Sequence, residues 1–257
     1  MINKTTLVHG KRWGRRLGDK LKSPPLGISA WIKRHTTVIK DEPKKVVAFF
    51  EIRKKPCFLK LYRRRSIFFK LLYFARLGRP MNSYKTGLHL AAEGVPVPRP
   101  LCCVVVSEGL LVLSEAFVSD GDYCQIWNGS PGREQVRKMM RGAGETIAAA
   151  HSAGYTHGDC KWNNLLWYQE TCFLVDFDGA RKIRFSAEAR MARDIARFTV
   201  SAEEAGVPGD MLEEFLDSYL RDSDLNRDRL IELMQPQLEK LRGRHFEQYG
   251  ISPQPLL

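Results

Sequence analysis

The spacing of apolar positions changes character near residue 118. Before it, short runs rich in branched and aromatic residues predominate. "KKVVAFFEI" (44–52) predicts a strand, "RKKP" breaks it, and "CFLKLYR" (57–63) predicts an antiparallel partner. "RSIFFKLLYFARLG" (65–78) and "SYKTGLHLAAEG" (83–94) are helical in pattern, the second stopped by Gly94 and "VPVPRP". "LCCVVVSEGLLVLSEAF" (101–117) is two apolar strands about a turn at Ser107-Glu108-Gly109. After it, Val136, Met140, Ala143, Ile147 and Ala150 recur along one face of a helix over 132–154. "LLWY" and "CFLVDF" predict two short strands joined at Gln169-Glu170-Thr171. From Ser186 onward three helices are expected, at 187–201, 209–222 and 226–242, then a proline-containing tail.

This order predicts an α+β, bilobal molecule. A mainly-β N-lobe occupies 36–118 and a mainly-α C-lobe 119–257, after a basic N-terminal arm over 1–35 with one short helix. The 257 residues suit one large domain or two small lobes.

Charge adds a partner class. The net charge is +12, and it is segregated: residues 1–85 hold 23 Lys+Arg against 4 Asp+Glu, the remainder 18 against 25. Such an N-terminal third attracts polyanions: nucleic acid, an anionic membrane surface or a phosphorylated glycolipid. The six cysteines form no C-x-x-C pair, so no zinc site is expected. "INKTTLVHGKRWGRRLGDK" has no apolar stretch of a secretory leader, which predicts a cytoplasmic protein with reduced, mostly buried thiols. The longest nearly apolar run, "SIFFKLLYFARLG", is too short to span a bilayer.

The chemistry concentrates in "HGDCKWNNLLW" (157–167), between a long helix and a tight hairpin. Asp176 of "DFDG" follows Asn164 by twelve residues, and the hairpin folds it back toward that asparagine. An amide oxygen and a carboxylate are hard ligands suited to Mg²⁺. Asp159 is placed to orient or deprotonate a hydroxyl, and Lys161 to put positive charge on a transferring phosphoryl group. The pattern is that of a protein kinase, H-x-D-x-x-x-x-N followed by D-F-G. Such a site needs a strand lysine for the nucleotide phosphates. "CFLKLY" supplies Lys60, on one strand face with Phe58 and Tyr62; the competing reading is an edge-strand lysine that blocks aggregation. Glu115 falls at the expected hinge, its backbone toward an adenine edge. Asp178 shares a strand face with Asp176, as a second acidic group near the metals or a structural one. Asp194 is either a helix-surface charge or the group that holds the catalytic-loop backbone.

Three features depart from the protein-kinase pattern. No G-x-G-x-x-G precedes the first strand, Glu93 is the one helix carboxylate offered to Lys60, and no A-P-E follows "DFDG". Only 18 residues separate Asp176 from Asp194, too few for a peptide-seating segment, so a small-molecule or carbohydrate acceptor, or an atypical protein kinase, is expected.

"GVPVPRPL", "LVLSEAF", "HGDCKWNNLLW", "LVDFDGAR" and "RDIARF" together resemble the lipopolysaccharide core (Kdo and heptose) kinases, relatives of the atypical RIO-type kinases, over roughly residues 40–200. The resemblance implies a bilobal protein-kinase-like fold, ATP with Mg²⁺, and phosphorylation of an inner-core sugar hydroxyl on a lipid A-linked acceptor. It implies the inner face of the cytoplasmic membrane as the place of work. By matching motif, Asp159 is the catalytic aspartate, Asn164 and Asp176 the metal ligands, and Lys60 the phosphate-binding lysine. The expected partners are the lipid A-core glycolipid and an anionic membrane surface rather than nucleic acid; "KRWGRR" (11–16) and "YRRRSIFFKLLYF" (62–74) mix basic and aromatic residues as interfacial segments do. Two other readings stay open: a RIO-like protein kinase whose basic N-terminus serves RNA, and a membrane-bound pseudokinase module.

Overall fold

A computed structural model describes residues 6–21, 27–64, 66–75, 77–184 and 186–257. Residues 1–5 and 22–26 of the expected N-terminal arm, and Arg65 and Arg76 of the helix predicted over 65–78, lie outside the described residues. The chain divides into two compact units. One runs through Leu88 and resumes over Pro98–Phe117; the other holds His89–Val97 and Val118–Leu257. No helix of the described residues is long and apolar enough to cross a membrane.

The first unit holds β1 (Thr6–His9), α1 (Lys11–Leu21), α2 (Ile28–His35), β2 (Thr37–Glu42), β3 (Lys45–Ile52), β4 (Lys55–Arg63), α3 (Ile67–Phe74), most of α4 (Arg79–Ala92), β5 (Pro100–Val106) and β6 (Gly109–Glu115). The strands form one antiparallel sheet, ordered β1-β5-β6-β4-β3-β2. Alternation along β4 sends Cys57, Leu59 and Leu61 to a core shared with Leu17, Leu21, Ile28, Trp31 and Ile32 of α1 and α2. Tyr62 faces the other way, into a cluster with Tyr73, Met81 and Tyr84. Helices thus cover both faces, which is why β5, buried throughout, reads as an unbroken apolar run.

The N-terminal segment expected as an arm with one short helix carries β1, α1 and α2. Its apolar positions are few and interleaved with solvent-facing Lys11, Arg12 and Arg15, so the periodicity is diluted although Leu17 and Leu21 are fully buried. Strand β2 is also absent from the sequence-based expectation. It is an edge strand, mostly exposed and partly charged. Glu108, at the β5–β6 turn, is buried: Ser29 donates to its carboxylate from the backbone N–H (3.1 Å) and from the hydroxyl, placing a negative charge at the start of α2. The β3–β4 connection is a two-residue turn, Arg53 (φ 51°) and Lys54 (φ 61°), without glycine.

The second unit contains β7 (Gly121–Asp122), α5 (Tyr123–Asn128), α6 (Arg133–Ser152), β8 (Tyr155–Thr156), β9 (Leu165–Tyr168), β10 (Thr171–Leu174), β11 (Arg181–Lys182), α7 (Ala187–Glu204), α8 (Gly209–Arg221) and α9 (Arg227–Tyr249). The expected stripe on α6 is buried at all five positions. Gly144 on the same helix lets α8 approach: a Cβ there would lie 2.6 Å from the Phe215 carbonyl oxygen. The β9–β10 turn is shorter than expected. Gln169 (φ 48°) and Glu170 (φ 56°) make it alone, and Thr171 pairs with Tyr168 in the ladder. Helix α9 runs seven residues past its expected end and contains Pro236, flanked by buried Met234 and Leu238 that anchor it on both sides. The tail returns to the core. Leu256 N–H donates to the buried Glu203 carboxylate (2.9 Å), which Arg242 also grips through Nε at 2.9 Å.

Candidate active site

The β9–β10 hairpin assembles the motif residues. Its register pairs Leu165 with Leu174, and Val175 N–H donates to the Asn164 carbonyl (3.0 Å), leaving Asp176 one residue from the position facing Asn164. The loop before it is held by alternate side chains. Cys160 and Trp162 are fully buried, with Trp162 packed against Tyr123, Trp127 and Phe198. Asp159, Lys161 and Asn163 project from the opposite side and line one cavity. Burial and the nearby Asp194 charge push the Cys160 thiol well above its usual pKa, so it is an inert packing group.

Asp194 of α7, 2% exposed, fixes the loop backbone. The N–H groups of His157 and Gly158 donate to its two oxygens at 2.6 and 2.8 Å, and His151 Nε2 lies 3.2 Å away. Of the two readings open from sequence, loop-holding is the observed one. His157 Nε2 sits 2.9 Å from the Val175 carbonyl, an acceptor, so that nitrogen carries the proton and Nδ1 can accept. The imidazole thereby ties the loop to the strand that delivers Asp176. Gly158 makes the tight approach possible: at φ +79°, an added Cβ would lie 2.3 Å from the Gly179 carbonyl oxygen.

Asn164 Nδ2 donates to the Asp159 carbonyl (2.8 Å) and carboxylate (3.1 Å), orienting that side chain and leaving the amide oxygen as its other polar atom. Lys161 Nζ lies 3.4 Å from the same carboxylate. Arg197, for which the sequence reading gave no role, stands 3.9 Å from Asp159 and 3.7 Å from Glu204. The signal was present: "RMARDIAR" spaces arginines three and four apart, one face of a helix.

Asp176 adopts the left-handed conformation (φ 64°, ψ 66°), sparsely populated by non-glycine residues and characteristic of functional sites. Strand β10 ends at Leu174, and after Asp176 the chain enters a 3₁₀ turn over Phe177–Gly179. Strand alternation therefore does not reach Asp178, and the expectation that it shares a face with Asp176 is corrected. No three His, Cys, Asp or Glu side chains cluster as a metal site among the described residues. Asn164 and Asp176 are nonetheless a fitting donor set for Mg²⁺, which takes one or two protein oxygens and completes its shell with phosphates and water.

Lys60 and Glu115 belong to the first unit. Strand β4 lies between β3 and β6, so the edge-strand reading of Lys60 does not apply. Phe58, Lys60 and Tyr62 share a face as expected, with the Lys60 ammonium 4.9 Å from the Tyr62 ring centroid. Glu115 ends β6, exposed, and its backbone N–H is taken by the Arg99 carbonyl (2.9 Å). The β2–β3 turn passes through Pro43 and Lys44, without glycine. Glu93 stands exposed past the end of α4. Among the described residues the chain runs from Asp176 through β11 and into α7 at Ala187 with no further element between β11 and α7.

Comparison with known proteins gives this arrangement a relative. The solved structure of WaaP in complex with acyl carrier protein matches with a TM-score of 0.60 at 16% identity, covering 93% of this chain and 99% of that one. The fold is therefore protein-kinase-like. Among curated proteins, a 40-residue stretch (16% of this chain) is 43% identical to a probable bifunctional tRNA threonylcarbamoyladenosine biosynthesis protein of Methanocorpusculum labreanum, and spans 8% of that protein. The family model for the lipopolysaccharide kinase (Kdo/WaaP) family matches residues 29–219. With three quarters of its length matched, the chain belongs to the lipopolysaccharide kinase (Kdo/WaaP) family.

Proposed function

We propose that the protein transfers the γ-phosphoryl group of ATP to a hydroxyl of an inner-core sugar, heptose or Kdo, on a lipid A-linked acceptor. The observation that carries this reading is the second unit's loop. Asp159, Lys161 and Asn164 are held within hydrogen-bonding or ion-pair reach of one another by Asp194, beside a hairpin that returns Asp176. Asp159 takes the proton from the attacking hydroxyl, oriented by the Asn164 amide. Lys161 and Arg197 place positive charge where the transferring group gains negative charge. Asn164 and Asp176 would hold Mg²⁺, which would supply positive charge against the negative charge of the transferring phosphates. On the first unit, Lys60 is the residue proposed for the nucleotide phosphates and Glu115 the one proposed for the adenine edge.

The absence of a peptide-seating segment between Asp176 and α7 favours a sugar over a protein acceptor. The exposed Lys11, Arg12 and Arg15 of α1 suit peripheral attachment to the anionic inner face of the cytoplasmic membrane. Because the WaaP structure holds acyl carrier protein, that carrier is a candidate partner here, to be checked by co-purification.

The test incubates purified protein with γ-labelled ATP, Mg²⁺ and dephosphorylated core glycolipids bearing Kdo, heptose or both. Label in one of these sugars is expected. No label in any acceptor, with protein serine labelled instead, would return the reading to a RIO-like kinase.

A further inference from the structure

The cavity of about 960 Å³ that contains Asp159 has a second wall that the transfer step does not use. Arg190 and Arg193 of α7 line it, with Arg181 of β11 and Arg244 of α9. The cavity's own carboxylates are engaged elsewhere. Asp194 accepts from two backbone N–H groups, Glu204 lies 3.7 Å from Arg197 and 3.3 Å from His245, and Asp159 faces Lys161 and Arg197. Among the described residues, these four arginines make no ion pair with any carboxylate. Like charges three residues apart on a helix repel and cost stability when nothing opposes them. Three different elements bring these guanidinium groups to one cavity, and a guanidinium is the group that grips carboxylate or phosphate through paired hydrogen bonds.

We propose that Arg190 and Arg193, with Arg181 and Arg244, form an anion subsite for the acceptor, binding the carboxylate or phosphate of an acidic group adjoining the sugar that is phosphorylated. This rests on the kinase reading above, because the reacting hydroxyl is placed at Asp159. The spacing gives the distance. Arg190 lies seven residues, roughly 10 Å along the axis of α7, from Arg197 at the Asp159 end. The anion therefore sits on a neighbouring residue of the acceptor, and the protein selects acceptors by a charge it does not react with.

The test compares acceptors and variants on the full-length protein. Acceptor glycolipid is prepared in three forms: carboxylates and phosphates intact, carboxylates esterified, and lipid phosphates removed. Loss of the recognised group should raise the acceptor KM about tenfold or more and change kcat little. The form that suffers identifies carboxylate or phosphate as the ligand. Arg190→Ala with Arg193→Ala should raise the acceptor KM similarly and erase the difference between the forms. Arg190→Lys with Arg193→Lys, which keeps the charge but not the paired geometry, should fall between. Equal KM for all three forms with the parent protein overturns the proposal without any variant. So does a double variant whose KM rises for ATP instead of the acceptor. Direct titration with free Kdo and its methyl ester separates the two claims. Tighter binding of the acid without any phosphoryl transfer sinks the kinase reading alone. Transfer with no acid preference, and with no rise in KM when the lipid phosphates are removed, sinks the subsite alone.

Discussion

Replacing Asp194 by asparagine removes the charge that holds the loop at His157 and Gly158 while keeping the volume. The parent carboxylate accepts N–H groups of His157 and Gly158, one on each oxygen, in a site 2% exposed. Asparagine keeps one acceptor and turns its NH₂ against the other N–H. The change loses one charge-assisted hydrogen bond and leaves a buried donor facing a donor, about 2–4 kcal/mol in all. Alanine at the same place strands both N–H groups and costs about 3–6 kcal/mol, a large part of the ~5–15 kcal/mol that stabilises a typical domain. The functional effect is separable, because Gly158 precedes Asp159 directly. Releasing its N–H shifts the carboxylate, and a displacement of about 1 Å costs roughly 10²-fold in rate. Urea unfolding followed by circular dichroism measures the first effect, and kcat for label transfer well below the transition measures the second. Asp194→Asn with the parent's urea midpoint and turnover would refute the assignment of Asp194 as the group that positions the loop.

Asp159→Ala should lower kcat by roughly 10²-fold or more while the unfolding midpoint holds, since the carboxylate is half-exposed; turnover near the parent's removes it as the base. Arg242→Ala leaves the fully buried Glu203 carboxylate without its ion-pair partner and should cost about 3–5 kcal/mol, read as a lower Tm. Pairing it with Glu203→Gln should restore part of that loss, and no recovery would argue against the buried charge as the cause. Burial raises the thiols of Cys57 to about 11 and of Cys102 and Cys172 to about 12. These groups hold their protons more tightly folded than unfolded. Their contribution is full below about pH 9, the unfolded value, and is lost as pH rises through 11–12. Tm should therefore fall above pH 9, and a flat profile to pH 11 would contradict the burial argument.

The parts of the fold legible in the sequence are those where one periodicity prevails. The stripe on α6, the "CFLKLY" alternation and the β9–β10 hairpin appear where the pattern puts them because in each one face is buried more deeply than the other. Strand β2 and one of the two helices before it escaped for the opposite reason: their solvent faces carry so many charged residues that the apolar minority is hard to see. The return of the chain toward Asn164 was legible through spacing, because a tight hairpin folds its second strand back beside its first. The loop-holding role of Asp194 needed the path of α7, and Arg197 needed the meeting of α7 with the loop. Asp178 went astray because alternation was extended past Leu174, where strand β10 ends, and across the left-handed turn at Asp176.

The central claim is phosphoryl transfer to a core sugar at the Asp159–Asp176 site. Its most direct test is a single-turnover reaction of γ-labelled ATP and Mg²⁺ with phosphate-stripped inner-core glycolipid, comparing the parent with Asp176→Ala. Label is expected on a heptose or Kdo hydroxyl with the parent and at least about 10²-fold less with the variant. An unlabelled glycolipid with folded parent protein, or equal labelling by both proteins, would contradict it.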